Sequence, residues 1–416
     1  MARSSSFRTA GPIPAAAVAL IATTLLSCAD AEVPTAKGCA PVETRAPNAR
    51  DQRPAFAGQT RACAVRSDVA FDVVVLAKGL EKPWSVEPLP NGNLLITEKP
   101  GRMRIVSAKG EIGDPIAGIP AVDARGQGGL LDAALSPGFA TDNTVYWSYS
   151  EPRRGGNATS VARGVLSADR SRLAEVRVIF RAQPAYDGDK HYGSRLVFAP
   201  DGMLFVTLGE RSDKPMRPQA QKLDSHMGKI VRIGPDGSVP RDNPFVGRAG
   251  ALAEIWSLGH RNVQAATLDP QGRLWETEHG TRGGDELNLI ERGRNYGWSE
   301  VAYGIEYSGA PIPNSVTARE GIEQPVYYWD PVIAPSGMQF YTGDAFPAWR
   351  GNLFIGGMKA TSLVRLTLEN DRVTGEEHLL TDRGQRIRDV RQGPDGALYV
   401  VTDAEKGELW KIVPRG

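Results

Sequence analysis

Six times along this chain a turn of one make feeds a run of apolar residues, and that repetition limits the fold more than any other feature. Four copies are close: Pro90-Asn91-Gly92 before Leu94-Leu95-Ile96, Pro200-Asp201-Gly202 before Leu204-Phe205-Val206, Pro270-Gln271-Gly272 before Leu274-Trp275, and Pro394-Asp395-Gly396 before Leu398-Tyr399-Val400. Two looser copies fill the long gaps, Pro137-Gly138-Phe139 ahead of Val145-Tyr146-Trp147 and Pro347 ahead of Leu353-Phe354-Ile355. Proline presets φ, and glycine takes a left-handed position at little steric cost, so each copy is a turn leading into a buried strand. Turn-plus-strand units repeated along one chain indicate radial repetition: an all-β, six-bladed β-propeller of four-stranded antiparallel blades. The last apolar run, Glu408 to Val413, is expected to join an N-terminal strand in one blade and so close the ring. Chemistry in such a ring sits on loops at one mouth of the central channel. The wide repeat spacings predict long loops between residues 180 and 340, and long loops in compact folds are usually functional.

The 416 residues carry a formal net charge of +1, with no run of five like charges, which argues against a nucleic-acid partner. The N-terminus reads as an export signal over residues 1–28. Arg3 and Arg8 precede an apolar core from Ala15 to Ala22 that continues through Leu25-Leu26, too short to span a bilayer. Leu25-Leu26-Ser27-Cys28 resembles a bacterial lipobox, in which Cys28 becomes the lipidated first residue; an ordinary cleaved signal is the alternative. Membrane contact is then expected only through a lipid anchor, and the location is periplasmic or tethered to the outer membrane. Residues 29–69, rich in Ala, Pro, Arg and Thr, read as a flexible tether, and 70–416 as the catalytic propeller. With Cys28 consumed, Cys39 and Cys63 remain. An oxidising compartment favours a disulfide between them, two free thiols being the other reading.

No H-E-x-x-H, G-x-S-x-G or phosphate-binding loop is present, and Gly126-Gln127-Gly128-Gly129 lacks the βαβ context of a dinucleotide site. What remains are polar residues at loop positions. His191, ahead of the strand Leu196-Val197-Phe198, suits a general base because its ordinary pKa lies near neutrality. A structural histidine is the alternative. Arg261 and Asn262 offer a fixed charge and amide donors suited to a carbonyl or carboxylate, or else a staple between blades. The Gly-rich, acidic stretch from Glu278 to Asn288 offers hard oxygen ligands for Ca²⁺, although not at EF-hand spacing. Arg386 and Arg388 lie two apart, on one face of a strand, and with Lys359 they would repel unless a polyanion neutralises them; a solvated basic edge is the other reading.

In this order the fragments resemble the soluble PQQ-dependent aldose sugar dehydrogenases, relatives of the soluble quinoprotein glucose dehydrogenases. The resemblance runs from about Val74 to Val413. It rests on Leu80-Glu81-Lys82-Pro83-Trp84-Ser85, Gly126-Gln127-Gly128-Gly129-Leu130-Leu131, His191-Tyr192-Gly193-Ser194-Arg195-Leu196, Gly259-His260-Arg261-Asn262, Glu278-His279-Gly280 with Gly284-Asp285-Glu286, and Arg386-Ile387-Arg388-Asp389-Val390. It implies His191 as general base and Arg261 as a catalytic charge. It implies Gln127, Arg261, Asn262, Lys359, Arg386 and Arg388 as holders of PQQ, with the carbonyls of Gly280 and Thr281 binding Ca²⁺. The implied reaction is oxidation of the anomeric hydroxyl of an aldose sugar to a lactone, with electrons passing on to an external acceptor (quinone, cytochrome or dye). Glu210, Arg211 and Trp329 are candidates for the sugar side of the pocket. Three departures stand out: Thr281 where the glucose dehydrogenases have Pro, Lys190 where they carry Asp ahead of the base, and Val332 where a Thr contacts PQQ. Rival readings are a non-enzymatic propeller lipoprotein that binds carbohydrate or protein, and PQQ-dependent oxidation of a non-aldose substrate.

Overall fold

The computed structural model describes residues 38–416, so the export signal and lipobox lie outside the described residues. Six sheets follow one another along the chain. In chain order the blades occupy residues 83–106, 130–181, 196–258, 263–329, 335–379 and 387–414, and the last is completed by Phe71–Leu80. Four blades hold four strands each. The first has three, with only the isolated Val106–Ile112 bridge beyond them, and the fifth gains a fifth strand. Every ladder is antiparallel except the one that adds this fifth strand.

All six repeated turns join the innermost strand of a blade to the second strand. In the four close copies the glycine N–H closes the turn on the carbonyl three residues back: Gly92 on Leu89, Gly202 on Ala199, Gly272 on Asp269 and Gly396 on Gly393, at 2.9–3.0 Å. The glycine is then left-handed in each, with φ between 76° and 81°, where a side chain would be strained. The first strands of successive blades pack around the channel, and the last of them meets the first, closing the ring. Closure is sealed by the pairing of Phe71–Leu80 with Gly407–Pro414, as expected from the chain's final apolar run.

The core lies between neighbouring blades, where alternate residues of facing sheets interleave. Between the fourth and fifth blades, for example, Trp275, Leu287 and Tyr327 meet Met338, Phe340 and Ile355. The segment expected to be a flexible tether is folded from Gly38 onward. Cys39 and Cys63 form a disulfide, Cys63–Ala64 pairs in parallel with Gly375–Glu376 on the edge of the fifth blade, and Gln59 to Ala62 are buried. The composition misled because the segment has no hydrophobic period of its own; side-chain-to-backbone hydrogen bonds and the disulfide hold it. Among the described residues no helix is long and apolar enough to cross a membrane.

Candidate active site

Antiparallel blades that begin at the channel put their first turns at one end of the ring. The connections between blades and the turns from second to third strands therefore emerge at the other end. Gln127, His191, Arg261 and Asn262 lie on connections between blades. Glu210, Gly280, Thr281 and Lys359 lie on second-to-third turns, and Arg386 and Arg388 at the start of the last blade's first strand. The repeat thus places all of them at one mouth. A cavity of ≈ 500 Å³ opens there, lined by Gln127, Arg386 and Arg388 together with Trp84, Lys99, Gln264, His279 and Asp403.

His191 is buried, and its backbone is left-handed at φ 50°, a strained conformation held by its surroundings. Its N–H donates to Gln127 Oε1 at 2.9 Å, and a Cβ on Gly209 would stand 2.2 Å from its carbonyl oxygen. The ring Nδ1 lies 3.2 Å from Glu210 Oε1. Burial lowers the His191 pKa, and the Arg261 charge lowers it further against the pull of Glu210. The ring is therefore neutral at pH 7, with Nδ1 facing Glu210 and Nε2 the nitrogen left to accept a proton. Burial alone would raise the Glu210 carboxyl, but His191 and Arg261 outweigh it and hold it below its ordinary value. Glu210, expected on the sugar side of the pocket, stands against the His191 ring. It sets a carboxylate beside His191, where the preceding residue is Lys190.

Arg386 and Arg388 face each other across Asp403, which the sequence did not single out. Arg386 Nε donates to Asp403 Oδ2 at 2.7 Å and Arg388 Nε to Oδ1 at 2.9 Å. Burial pushes the Asp403 carboxyl up, but the two guanidiniums win and hold it far below the usual carboxylate range. Their mutual repulsion is thus partly relieved within the chain. Arg388 also donates to Gln264 Oε1 and lies over the Trp84 ring, whose other neighbour is Arg195, 4.3 Å from the ring centre. Lys99 adds a further positive group at the wall. Lys359 is exposed, on the same turn as the cavity-lining Met358.

Arg261 lies 4.0 Å from Glu210 and stacks on Trp298. Its Nη1 donates to the carbonyls of His279 and Gly280, while its buried Nε, the atom nearest Glu210, makes no hydrogen bond among the described residues. The Gly280 carbonyl oxygen thus accepts from the Arg261 guanidinium. Thr281 is buried beside it, its Oγ1 unpartnered among the described residues, as is Asn262 Nδ2. Behind Arg261 a cavity of ≈ 10 Å³ touches Glu278 and Glu286, about the space of one water. Next to it His260, Glu276 and Glu278 offer ligand atoms within 4.8 Å of one another, a group able to hold a cation. Burial raises Glu276 and Glu286 well above the ordinary value, and Glu278's charge adds to it.

Two expected residues are engaged elsewhere in the scaffold. Arg211 spends its donors on Asn157, Gly188 and Lys190 and stacks 4.2 Å over Tyr192, so it braces the loop that carries His191. Trp329 is paired with Asp285 in the fourth blade, and that register sends its indole into the layer between blades, where Nε1 donates to Glu376 at 3.1 Å. His279 was the reverse case, quoted within a motif but given no role. It lines the cavity with Nε2 on the Pro335 carbonyl, and burial pushes its pKa down to about 3.

Fold and site together define a β-propeller whose mouth sets a buried neutral imidazole beside a cation-rich cavity. The chain matches the family described as "Glucose / Sorbosone dehydrogenase" over residues 80–411 and belongs to it. It is 47% identical over 348 residues to the aldose sugar dehydrogenase YliI of Escherichia coli, covering 83% of this chain and 93% of that protein. Quinoprotein glucose dehydrogenase B of Acinetobacter calcoaceticus is 27% identical over 412 residues, or 80% of this chain and 85% of its own. Among solved structures, the PQQ-bound form of aldose sugar dehydrogenase from Streptomyces coelicolor superposes with a TM-score of 0.68 at 29% identity, over 83% of this chain and all of that one.

Proposed function

We propose that this protein is a PQQ-dependent dehydrogenase that oxidises the anomeric hydroxyl of aldose sugars to lactones. The observation that carries this reading is the buried His191–Glu210 pair, joined through Gln127 to the cavity that Arg386 and Arg388 line. When bound, PQQ supplies a quinone carbonyl carbon that accepts hydride, and Ca²⁺ supplies Lewis acidity beside it. His191 Nε2 takes the hydroxyl proton, and Glu210 stabilises the imidazolium that forms. Arg261 sets positive charge toward the oxygen that loses its proton. Arg386, Arg388 and Lys359 pair with the cofactor's carboxylates, Asp403 keeps the two guanidiniums in register, and Gln127 and Asn262 contribute amide contacts. The carbonyls of Gly280 and Thr281 are the metal ligands of this reading. Electrons leave to an external acceptor: quinone, cytochrome or dye. Export to the periplasm, with Cys28 lipidated, completes the picture; Cys28→Ser then releases soluble protein, and a soluble parent beginning at another residue would contradict it.

The test is to add PQQ and Ca²⁺ to apoprotein, follow cofactor uptake by absorbance, and assay dye-linked oxidation of a panel of aldoses. Uptake with lactone formation is expected. Absence of uptake favours a propeller that binds carbohydrate or protein without chemistry. Uptake with turnover only of other alcohols or aldehydes moves the substrate outside the aldoses.

A further inference from the structure

Residues 38–65 precede the six blades, adding to them only the short edge strand Cys63–Ala64, and lie outside the 80–411 range matched to the family. They form a closed strap. The Cys39–Cys63 disulfide joins positions 24 apart, with Cα atoms at 5.5 Å, and Ala64 N–H donates to the Ala40 carbonyl at 2.8 Å. Arg61 ties the two limbs together, donating to the carbonyls of Glu43 and Arg45 at 2.6 and 2.7 Å and to that of Asp330 at 2.8 Å.

We propose that this strap is a positioning element for the Gly280–Gly284 loop, acting through Asn48, Gln52 and Asp330; its bearing on metal and cofactor binding rests on the function proposed above. The contacts run without a gap. The buried Asp330 carboxylate accepts from the Asn48 N–H and Nδ2 at 2.9 and 2.7 Å and from the Ala49 N–H at 2.9 Å. Gly283 lies flat against that carboxylate, since a Cβ there would stand 2.6 Å from its carbon. On the other side, Gln52 grips Gly304 twice, donating to its carbonyl at 2.9 Å and accepting from its N–H at 2.7 Å. Next to Gly304, Ile305 exchanges backbone hydrogen bonds with Arg282 at 2.9 and 3.1 Å, and a Cβ on Gly284 would stand 2.1 Å from the Tyr303 carbonyl oxygen. Arg282 Nε also donates to Asn48 Oδ1 at 3.0 Å.

The loop is thus held between Asp330 and residues 303–305, and the strap grips both. Metal ligation by backbone carbonyls depends on such support, because the position of a carbonyl is set only by the packing of its loop. A disulfide-closed strap loses less freedom on ordering than an open one would.

Gln52→Ala and Asn48→Ala keep the disulfide, while the double variant Cys39→Ser with Cys63→Ser opens it. Hydrogen exchange on the apoprotein needs no cofactor. Amides in 280–284 and 303–305 are expected to exchange about tenfold faster in each variant, while the strand Leu398–Thr402 keeps the parent rate. In the holoprotein, the Ca²⁺ concentration for half-maximal PQQ uptake is expected to rise about tenfold, with kcat at saturating Ca²⁺ and PQQ close to the parent. Faster exchange confined to 38–65, a uniform increase through the blades, or an unchanged Ca²⁺ requirement in a protein that takes up PQQ would each overturn the proposal. A parent protein that takes up no PQQ would sink the proposed function alone, and the exchange measurement would still decide whether the strap holds the loop.

Discussion

At the residue scale the site turns on one imidazole and the carboxylate behind it. His191→Gln is expected to lower kcat by at least ~10²–10⁴-fold with PQQ binding near the parent value, since it removes the base and leaves the cavity; single-turnover kinetics with a PQQ titration checks both. The His191 pKa lies below 6.5 because of burial and Arg261, so kcat/KM rises with pH along a limb below 6.5 and levels above it. Glu210 pulls that pKa up. Glu210→Gln therefore moves the limb to lower pH and reduces kcat by releasing the ring; a limb moving to higher pH would contradict the assignment. His191, Gln127 and the Arg386/Arg388 pair were legible in the sequence because their motifs are local. The partnership of Glu210 with His191 was not, since it depends on the register of the hairpin whose two strands they flank. Asp403 was missed for the same reason: nothing around it in the chain says that it faces two arginines on a neighbouring strand.

Elements carry the next layer. The paired arginines project from one strand start, and each is expected to form a charge-assisted hydrogen bond worth about 1.5–3 kcal/mol with the cofactor. Arg386→Ala, Arg388→Ala and Lys359→Ala should each weaken PQQ binding by roughly one to two orders of magnitude, with activity recovering at saturating PQQ; equal affinity in all three would refute the clamp. The repeated turn can be tested at Gly202. Its φ is 80° and a Cβ there would meet nothing within 4 Å, so Gly202→Ala isolates the backbone cost. The expected loss is about 1–2 kcal/mol, read as a lower urea midpoint at unchanged slope. The strap marks the limit of composition as a guide. An Ala-, Pro- and Arg-rich segment reads as a tether, yet one disulfide and hydrogen bonds from Asn48, Gln52 and Arg61 fold it onto the ring.

At the scale of the whole molecule, the channel is closed by charge. Arg195, fully buried, pairs with Asp132 at 2.9 Å and Asp389 at 3.0 Å, and Arg391 lies within 4 Å of Asp132, Asp389 and Glu87. Three carboxylates thus face two guanidiniums, and burial pushes Glu87 up to about 8 despite the pull of Arg391. A carboxyl raised in this way contributes most when protonated, so its stabilisation is lost as pH rises from 4.5 toward about 8. Glu87→Gln is accordingly expected to be more stable than the parent at pH 9, with little gain at pH 4, in a series of thermal melts. His279 has the opposite sign. Its pKa falls to about 3 from 6.5, so its contribution is complete above 6.5 and is lost as pH falls toward about 3. His279→Gln should flatten the loss of stability in acid.

The sequence by itself determined the number of blades, the turns between their first two strands and the strand that closes the ring. Each of these depends on local backbone chemistry and a hydrophobic run, which a single stretch of chain contains. It also carried His191, the arginines and the glycine-rich loop as motifs. Only the tertiary structure decided what those residues do to one another: that Glu210 stands against His191, that Asp403 balances the arginines, that Arg211 and Trp329 serve the scaffold, and that the strap contacts the Gly280–Gly284 loop and its supports. Those roles depend on distances and burial between segments far apart in the chain. Blade register and ring closure create these, and no local pattern encodes them.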